Sequence, residues 1–345
     1  MSNKNLDWAN LGFGYVQTDK RYVANFKNGA WEEGFLTEDA TVTLNECAGV
    51  FQYAQTVFEG LKAYRTADGR IVTFRPDLNA QRMADSARRL EMPVYPEDKF
   101  IEAVEAVVAA NADFVPPYGS GATMYLRPYM FGNDESLGVH TVHRATYMII
   151  ASPSGSYYKE GINPVKIMIE SEDVRTVRGG TGYAKCGGNY AASNRAGERA
   201  NKKGYSQVLW LDGVERKYIE EVGAMNVMFR IGDEIITPEL TGSILPGITR
   251  KSCIEVLKKL GYKVTERLFS IDELKEALKN GTLKEAWGCG TAAVVSPIGK
   301  LMYEDVEYEV GGGKIGEVTQ KLYDILTGIQ WGSREDEFGW IYKLS

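Results

Sequence analysis

Lys185 lies in Gly179-Gly180-Thr181-Gly182-Tyr183-Ala184-Lys185-Cys186-Gly187-Gly188-Asn189-Tyr190, a lone ammonium between glycine pairs with a phenol five residues on. Glycines let a backbone approach a bulky ligand and adopt positive φ, at an entropic cost. A water-poor pocket would lower the lysine's pKa and make its amine a nucleophile toward a carbonyl. The same stretch also reads as a solvated lysine in a flexible glycine turn.

Four further segments hold residues suited to chemistry. Thr241-Gly242-Ser243-Ile244-Leu245-Pro246-Gly247-Ile248-Thr249-Arg250 runs into a helix whose Cys253, Val256, Leu257 and Leu260 form an apolar stripe. Backbone N–H groups and the dipole at such a helix mouth make an anion site suited to phosphate, to which Thr249 could add a hydroxyl. A plain Pro-Gly turn with Thr249 as cap is the competing reading. Glu220-Glu221 precede an apolar strand, Val227 to Ile231. Neighbours on a strand face opposite ways, so one of the pair looks inward, and a buried carboxylate needs a cation or N–H groups to stay charged. Solvent for both is the alternative. Tyr125 and Arg127 share a strand face, where the guanidinium could hold a carboxylate or serve as a structural ion pair. Arg75, between Phe74 and Pro76, admits the same two readings.

Gly288-Cys289-Gly290-Thr291-Ala292-Ala293 matches the GxGxxA fingerprint formally, but Val294-Val295-Ser296-Pro297 follows where a dinucleotide site needs a helix. The segment is read as a small-residue loop able to present N–H groups.

These residues need a scaffold. Ala80, Met83, Ala87 and Leu90 recur at helical spacing between Pro76 and Pro93, and Phe100, Val104, Val107 and Val108 between Glu97 and Asn111. Ile71 to Phe74, Ala122 to Arg127 and Ala145 to Ala151 read as strands, giving a sheet with helices on it. Ser152-Pro153-Ser154-Gly155-Ser156, continuing to Asn163-Pro164, is the linker signal. Beyond it come strands over Val165 to Glu170 and Ser206 to Leu211 and a helix from about Tyr190 to Gly204. A capping box at Ser270-Ile271-Asp272-Glu273 opens a short helix, and the last helix covers about Ile315 to Leu326. The expected organisation is an α/β (α+β) chain of two domains, 1–153 and 164–345, with 154–163 between them; 345 residues fit about two domains.

The bulk numbers exclude several classes. With 44% hydrophobic and 25% charged residues the chain is globular. No apolar run reaches the ~18 residues of a membrane span, and the polar start lacks signal or transit patterning, so a cytoplasmic address is expected. A net charge of -6, with signs mixed along the chain, argues against nucleic acid and membrane partners and for small molecules. Cys47, Cys186, Cys253 and Cys289 form no CxxC, and the only histidines are His140 and His143. No metal site is therefore read, and the thiols are expected reduced.

The order of the segments is specific: Phe58-Glu59-Gly60-Leu61-Lys62-Ala63-Tyr64, Phe74-Arg75-Pro76, Tyr125-Leu126-Arg127-Pro128, Lys185-Cys186-Gly187-Gly188-Asn189-Tyr190, Glu221-Val222-Gly223-Ala224-Met225-Asn226, Leu245-Pro246-Gly247-Ile248-Thr249-Arg250 and Gly290-Thr291-Ala292. From about residue 10 to 335 the chain resembles the branched-chain amino acid aminotransferases, fold-type-IV enzymes dependent on pyridoxal 5'-phosphate. The chain length and the Tyr125-Leu126-Arg127 segment count against two neighbouring groups, the D-amino acid aminotransferases and the aminodeoxychorismate lyases.

The resemblance implies a small α/β N-terminal domain and a larger C-terminal domain with a mixed, barrel-like sheet. It implies that Lys185 bonds covalently to the cofactor aldehyde, that Tyr190 bonds the cofactor's phenolic oxygen and that Glu221 holds the pyridine nitrogen protonated, with Glu220 the solvent-side neighbour. Arg75, Ile248, Thr249 and Thr291 would hold the phosphate. Tyr125, Arg127 and the backbone of Thr291 and Ala292 would face the substrate carboxylate. Tyr53, Phe58 and Val139 would wall the side-chain pocket, some of them across a homodimer interface. The implied reaction moves an amino group between leucine, isoleucine or valine and 2-oxoglutarate in two half-reactions, Lys185 serving as general base and then acid. Departures are Ala224 where some relatives carry threonine, Gln52 where histidine is frequent, and no CxxC over Ala293 to Ser296, so no redox switch of the animal type is expected.

Overall fold

The computed structural model describes residues 6–155 and 162–345; of the linker expected over 154–163, residues 156–161 lie outside the described residues. Two compact units result. The first holds the described residues through Gly155, together with Ala184–Gly187 and Gly328–Ser345. The last two stretches lie outside 1–153 in sequence. They join this unit because Ile341–Lys343 adds a strand beside Ile71–Phe74, and Cys186 bridges Val57.

In the first unit an antiparallel sheet runs in the order Ile341–Lys343, Ile71–Phe74, Leu61–Arg65, Thr123–Gly132, Ala145–Ser154, Arg21–Lys27 and Ala30–Trp31. The short strand Thr56–Phe58 also pairs with Thr123–Gly132. The helices Pro76–Arg89 and Glu97–Ala110 form where the apolar spacing places them. Met83, Ala87, Phe100, Val104 and Val107 join Met124, Leu126, Met130 and Ile149 in one core. Alternation along Thr123–Gly132 puts Tyr125 and Arg127 on the opposite face. Ala184 and Cys186 also lie in that core, so Lys185 between them points away from it.

The second unit, from Ile162 to Tyr183 and Gly188–Thr327, holds a mixed sheet. Its strands Ile219–Val222, Gln207–Leu211, Val165–Ile169, Val294–Tyr303, Leu283–Gly290 and Met225–Ile231 pair in that order. Ile219–Val222 pairs with Met225–Ile231 as well, so the six close into a barrel. Ile167, Leu209, Val227, Phe229 and Leu301 pack together from several of these strands. Ser270 caps the helix Ile271–Lys279 through the N–H of Glu273, as the capping box predicts.

The helix expected from Tyr190 to Gly204 is two helices, Gly187–Ala191 and Asn194–Lys202. Ser193 donates its hydroxyl to the Tyr190 carbonyl at 2.6 Å, a local bond that competes with helix propagation. Gly290 and Val294 pair as the two ends of a hairpin, so Thr291 and Ala292 sit in its turn. No helix follows the GxGxxA match.

Candidate active site

The expected site residues fall into two groups, one on each unit. On the first unit the amide of Phe58 donates to the Lys185 carbonyl at 3.0 Å, and Val57 bridges Cys186, so the lysine is held like an added strand residue. Its own N–H donates to Ser86 Oγ at 2.9 Å, reaching the buried side of the Pro76–Arg89 helix. The ammonium of Lys185 then lies 4.8 Å from the centre of the Phe58 ring. The Arg127 guanidinium also lies 4.8 Å from that ring and donates to the Tyr125 hydroxyl at 3.1 Å. An amine, an apolar ring, a guanidinium and a phenol are thus assembled on one sheet face.

The segment that carries Phe58 is anchored by its neighbour. Glu59, fully buried, takes Arg82 with both oxygens at 2.7 Å and Asn79 at 2.7 Å. Asn79, Arg82 and Ser86 all belong to the Pro76–Arg89 helix, so one helix holds both Phe58 and Lys185 in place. Arg75 caps that helix with a left-handed φ of 49°, and its guanidinium lies 4.7 Å from the Trp340 ring. A non-glycine residue in that conformation before a proline stores strain, a common mark of functional positions. Tyr53 donates to the Leu137 carbonyl, and both Tyr53 and Val139 are exposed on the single chain, at 36% and 74%.

On the second unit, Glu221 Oε2 pairs with Arg175 at 2.7 Å, both side chains being 4% exposed. The same guanidinium lies 5.8 Å from the centre of the Tyr190 ring. Glu221 Oε1 takes Asn226 Nδ2 at 3.4 Å, and that amide also donates to the Leu245 carbonyl at 2.9 Å. Leu245 leads through Pro246 and Gly247 into the helix Ile248–Lys259. Gly247 is the N-cap and makes no side-chain capping bond to the first N–H groups. A Cβ on Gly247 would stand 1.9 Å from Asn226 Oδ1, so the close approach there requires glycine. Asn226 also pairs with Cys289, two residues before Thr291. Glu221, Tyr190, Ile248, Thr249 and Thr291 are therefore tied to one strand, Met225–Ile231, and its neighbours.

A model of the family described as amino-transferase class IV matches residues 56–301. The chain belongs to the class IV aminotransferases. This aminotransferase is 48% identical over 336 residues to "Branched-chain-amino-acid aminotransferase 2" of Bacillus subtilis (strain 168), covering 97% of this chain and 92% of the relative. It is 46% identical over 340 residues to "Branched-chain-amino-acid transaminase 1" of the same strain, covering 98% and 95%. Its fold matches the crystal structure of the Escherichia coli branched-chain amino acid aminotransferase with a TM-score of 0.79 at 29% identity, over 95% of this chain and 100% of that one. The crystal structure of the T.th. branched-chain amino acid aminotransferase with pyridoxamine 5'-phosphate matches with a TM-score of 0.78 at 27% identity, over 93% and 98%.

The donor set of this aminotransferase fits a phosphorylated pyridine aldehyde. There is an amine for the aldehyde, a buried carboxylate for a ring nitrogen, and an uncapped helix start for a phosphate. One expectation needs correction. Glu220 is not on the solvent side: it is buried like Glu221, at 6% and 3% exposure, and accepts the Ser243 hydroxyl. Alternation does turn the two carboxylates apart, but the second side is covered by the Thr241–Gly247 turn. The glycines around Lys185 serve both close approach and positive φ, the atoms approached being those of the protein. Gly179 adopts φ 79°, whereas at Gly182 a Cβ would stand 2.1 Å from the Ser243 carbonyl oxygen, and at Gly187 it would meet Thr56 at 2.9 Å.

Sequence reasoning asked for a cation beside a buried glutamate without naming Arg175. It also passed over Ser86, Ser243 and the amide of Asn226. Arg175 precedes the glycine stretch and is the signal that could have been followed; Ser86 lies on an ordinary helix and carries none.

Proposed function

We propose that this class IV aminotransferase exchanges the amino group of leucine, isoleucine or valine with 2-oxoglutarate, using pyridoxal 5'-phosphate. What carries the reading is the pair of cations flanking Phe58, the Lys185 amine and the Arg127 guanidinium, each 4.8 Å from the ring. An amino acid with an aliphatic side chain presents an amine, an apolar group and a carboxylate, and this face offers a partner to each. The two Bacillus subtilis relatives, by their names, act on the same substrate class.

When bound, the cofactor supplies an aldehyde that takes up the substrate amine and a protonated ring that withdraws electrons from the substrate α-carbon. Lys185 is the residue that would hold the aldehyde, and its amine, when free, would carry the proton between the substrate α-carbon and the cofactor's aldehyde-derived carbon. Glu221, held by Arg175 and Asn226, keeps the ring nitrogen protonated, and Tyr190 bonds the ring's phenolic oxygen. Arg75, Ile248, Thr249 and Thr291 hold the phosphate. Tyr125, Arg127 and the backbone of Thr291 and Ala292 receive the substrate carboxylate, and Phe58 walls the side-chain pocket. Tyr53 and Val139, exposed on one chain beside Phe51 and Leu137, complete that wall in a homodimer. The Arg127 guanidinium also donates to the γ-carboxylate of 2-oxoglutarate, which lets one apolar pocket serve both substrates. The partners are small molecules. Among the described residues no helix is long and apolar enough to cross a membrane, and no cluster of His, Cys, Asp or Glu could hold a metal ion.

The test is purified protein with each branched-chain L-amino acid and 2-oxoglutarate, read as glutamate formed, with Lys185→Ala as control. Borohydride reduction and peptide mapping should place the cofactor on Lys185. Absence of glutamate, equal turnover in the variant, or an adduct on another lysine would overturn the reading.

A further inference from the structure

Glu220 is a buried carboxyl to which the transamination reading gives no task. Its hydroxyl partner among the described residues, Ser243, is a junction. Ser243 donates to Glu220 Oε1 and lies 3.0 Å from the Thr241 hydroxyl. Its carbonyl accepts the Thr176 hydroxyl at 2.7 Å, and the backbone of Gly182 packs against that same carbonyl with no room for a Cβ. Three pieces of chain therefore converge on it: the strand Ile219–Val222, the loop through Thr176 and Gly182 that leads to Lys185, and the turn leading to Gly247.

That last turn is strapped from both sides of the strand. Glu221 reaches it through Asn226, whose amide donates to the Leu245 carbonyl at 2.9 Å. Glu220 reaches it through Ser243. The next residues, Gly247, Ile248 and Thr249, begin the helix whose first N–H groups are read as the phosphate site. A phosphate cradle made of backbone amides keeps its geometry only if the turn before it is fixed. We propose that Glu220 is a positioning residue for the phosphate cradle, its carboxyl holding Ser243 and thereby setting the direction of the first amides of the Ile248–Lys259 helix. This rests on the reading of that helix start as the phosphate site.

The electrostatics agree. Burial pushes the Glu220 carboxyl up to about 7, the Ser243 hydrogen bond and Arg175 favour its ionised form, and Glu221 and Asp212 oppose it.

The experiment compares apo-protein binding of two probes, pyridoxal 5'-phosphate and pyridoxal, followed by absorbance, in the wild type, Glu220→Ala, Glu220→Gln, Ser243→Ala and Thr249→Ala. Expected is a loss of about tenfold in affinity for the phosphorylated probe in Glu220→Ala and Ser243→Ala, with pyridoxal within about twofold of wild type. Glu220→Gln, whose amide oxygen still accepts from Ser243, should stay within about twofold for both. An unchanged affinity in the two alanine variants, beside a phosphate-specific loss in Thr249→Ala, overturns the inference and leaves the site reading standing. Equal losses for both probes make Glu220 merely structural and overturn it too. If the wild type binds pyridoxal as tightly as pyridoxal 5'-phosphate, the phosphate reading fails and the inference with it. Should Glu220→Ala not fold, Ser243→Ala and Glu220→Gln decide the matter by the same ratio of the two probes.

Discussion

The guanidinium of Arg175 stands 2.7 Å from Glu221 Oε2, with both side chains almost wholly buried. It supplies the buried counter-charge for a carboxylate proposed to meet a pyridine nitrogen, and its place over the Tyr190 ring joins two proposed cofactor contacts in a single cluster. Removing one member of a buried pair leaves the other uncompensated, which costs more than the pair itself contributes.

Arg175→Met is therefore expected to destabilise the apo-protein by about 3–5 kcal/mol in denaturant unfolding. The double variant with Glu221→Gln should recover a large part of that loss, because the uncompensated charge is gone. A double variant as unstable as the sum of the two singles would contradict the pairing.

Ser86 accepts the backbone N–H of Lys185 from within a helix that also carries Arg82 and Asn79. In Ser86→Ala that part-buried N–H loses this acceptor, at a cost of about 1 kcal/mol. The lysine then loses its fixed reach, so kcat for leucine should fall by about tenfold while KM changes little. A rise in KM with kcat intact would show that Ser86 serves binding and not the placement of Lys185.

The pH dependence of stability carries a signature of Glu220. Its carboxyl is raised to about 7 in the fold from an ordinary 4.5, so folding takes up a proton between those values. Stability from this group is whole below about 4.5 and is lost as pH rises to about 7. Glu220→Gln cannot ionise, and it should gain on the wild type by about 1–3 kcal/mol between pH 5 and pH 8 in thermal unfolding of the apo-protein. A gap between the two proteins that does not change with pH would mean that Glu220 titrates normally.

Where structure depends on near neighbours, the order of residues was enough. The Pro76–Arg89 helix follows from apolar spacing, and the Ser270 cap from a hydroxyl three residues before Glu273. Lys185 stood out as a candidate nucleophile from its type and its glycine neighbours, and the ordered motifs led from there to the family. These features are decided within a turn or two of chain, where local sterics and backbone hydrogen bonds dominate.

Tertiary structure alone decided which partners those residues meet. Arg175 and Glu221 are separated by 46 positions, and Ser86 and Lys185 by 99. They meet because a six-stranded barrel closes in one unit and a short segment around Lys185 docks as an added strand in the other. Alternation along a strand told that Glu220 and Glu221 face opposite ways, but not what lies on each side. That is set by long-range strand pairing and by the turns it brings over the sheet, whose entropy of closure is offset only by the packing of the whole unit.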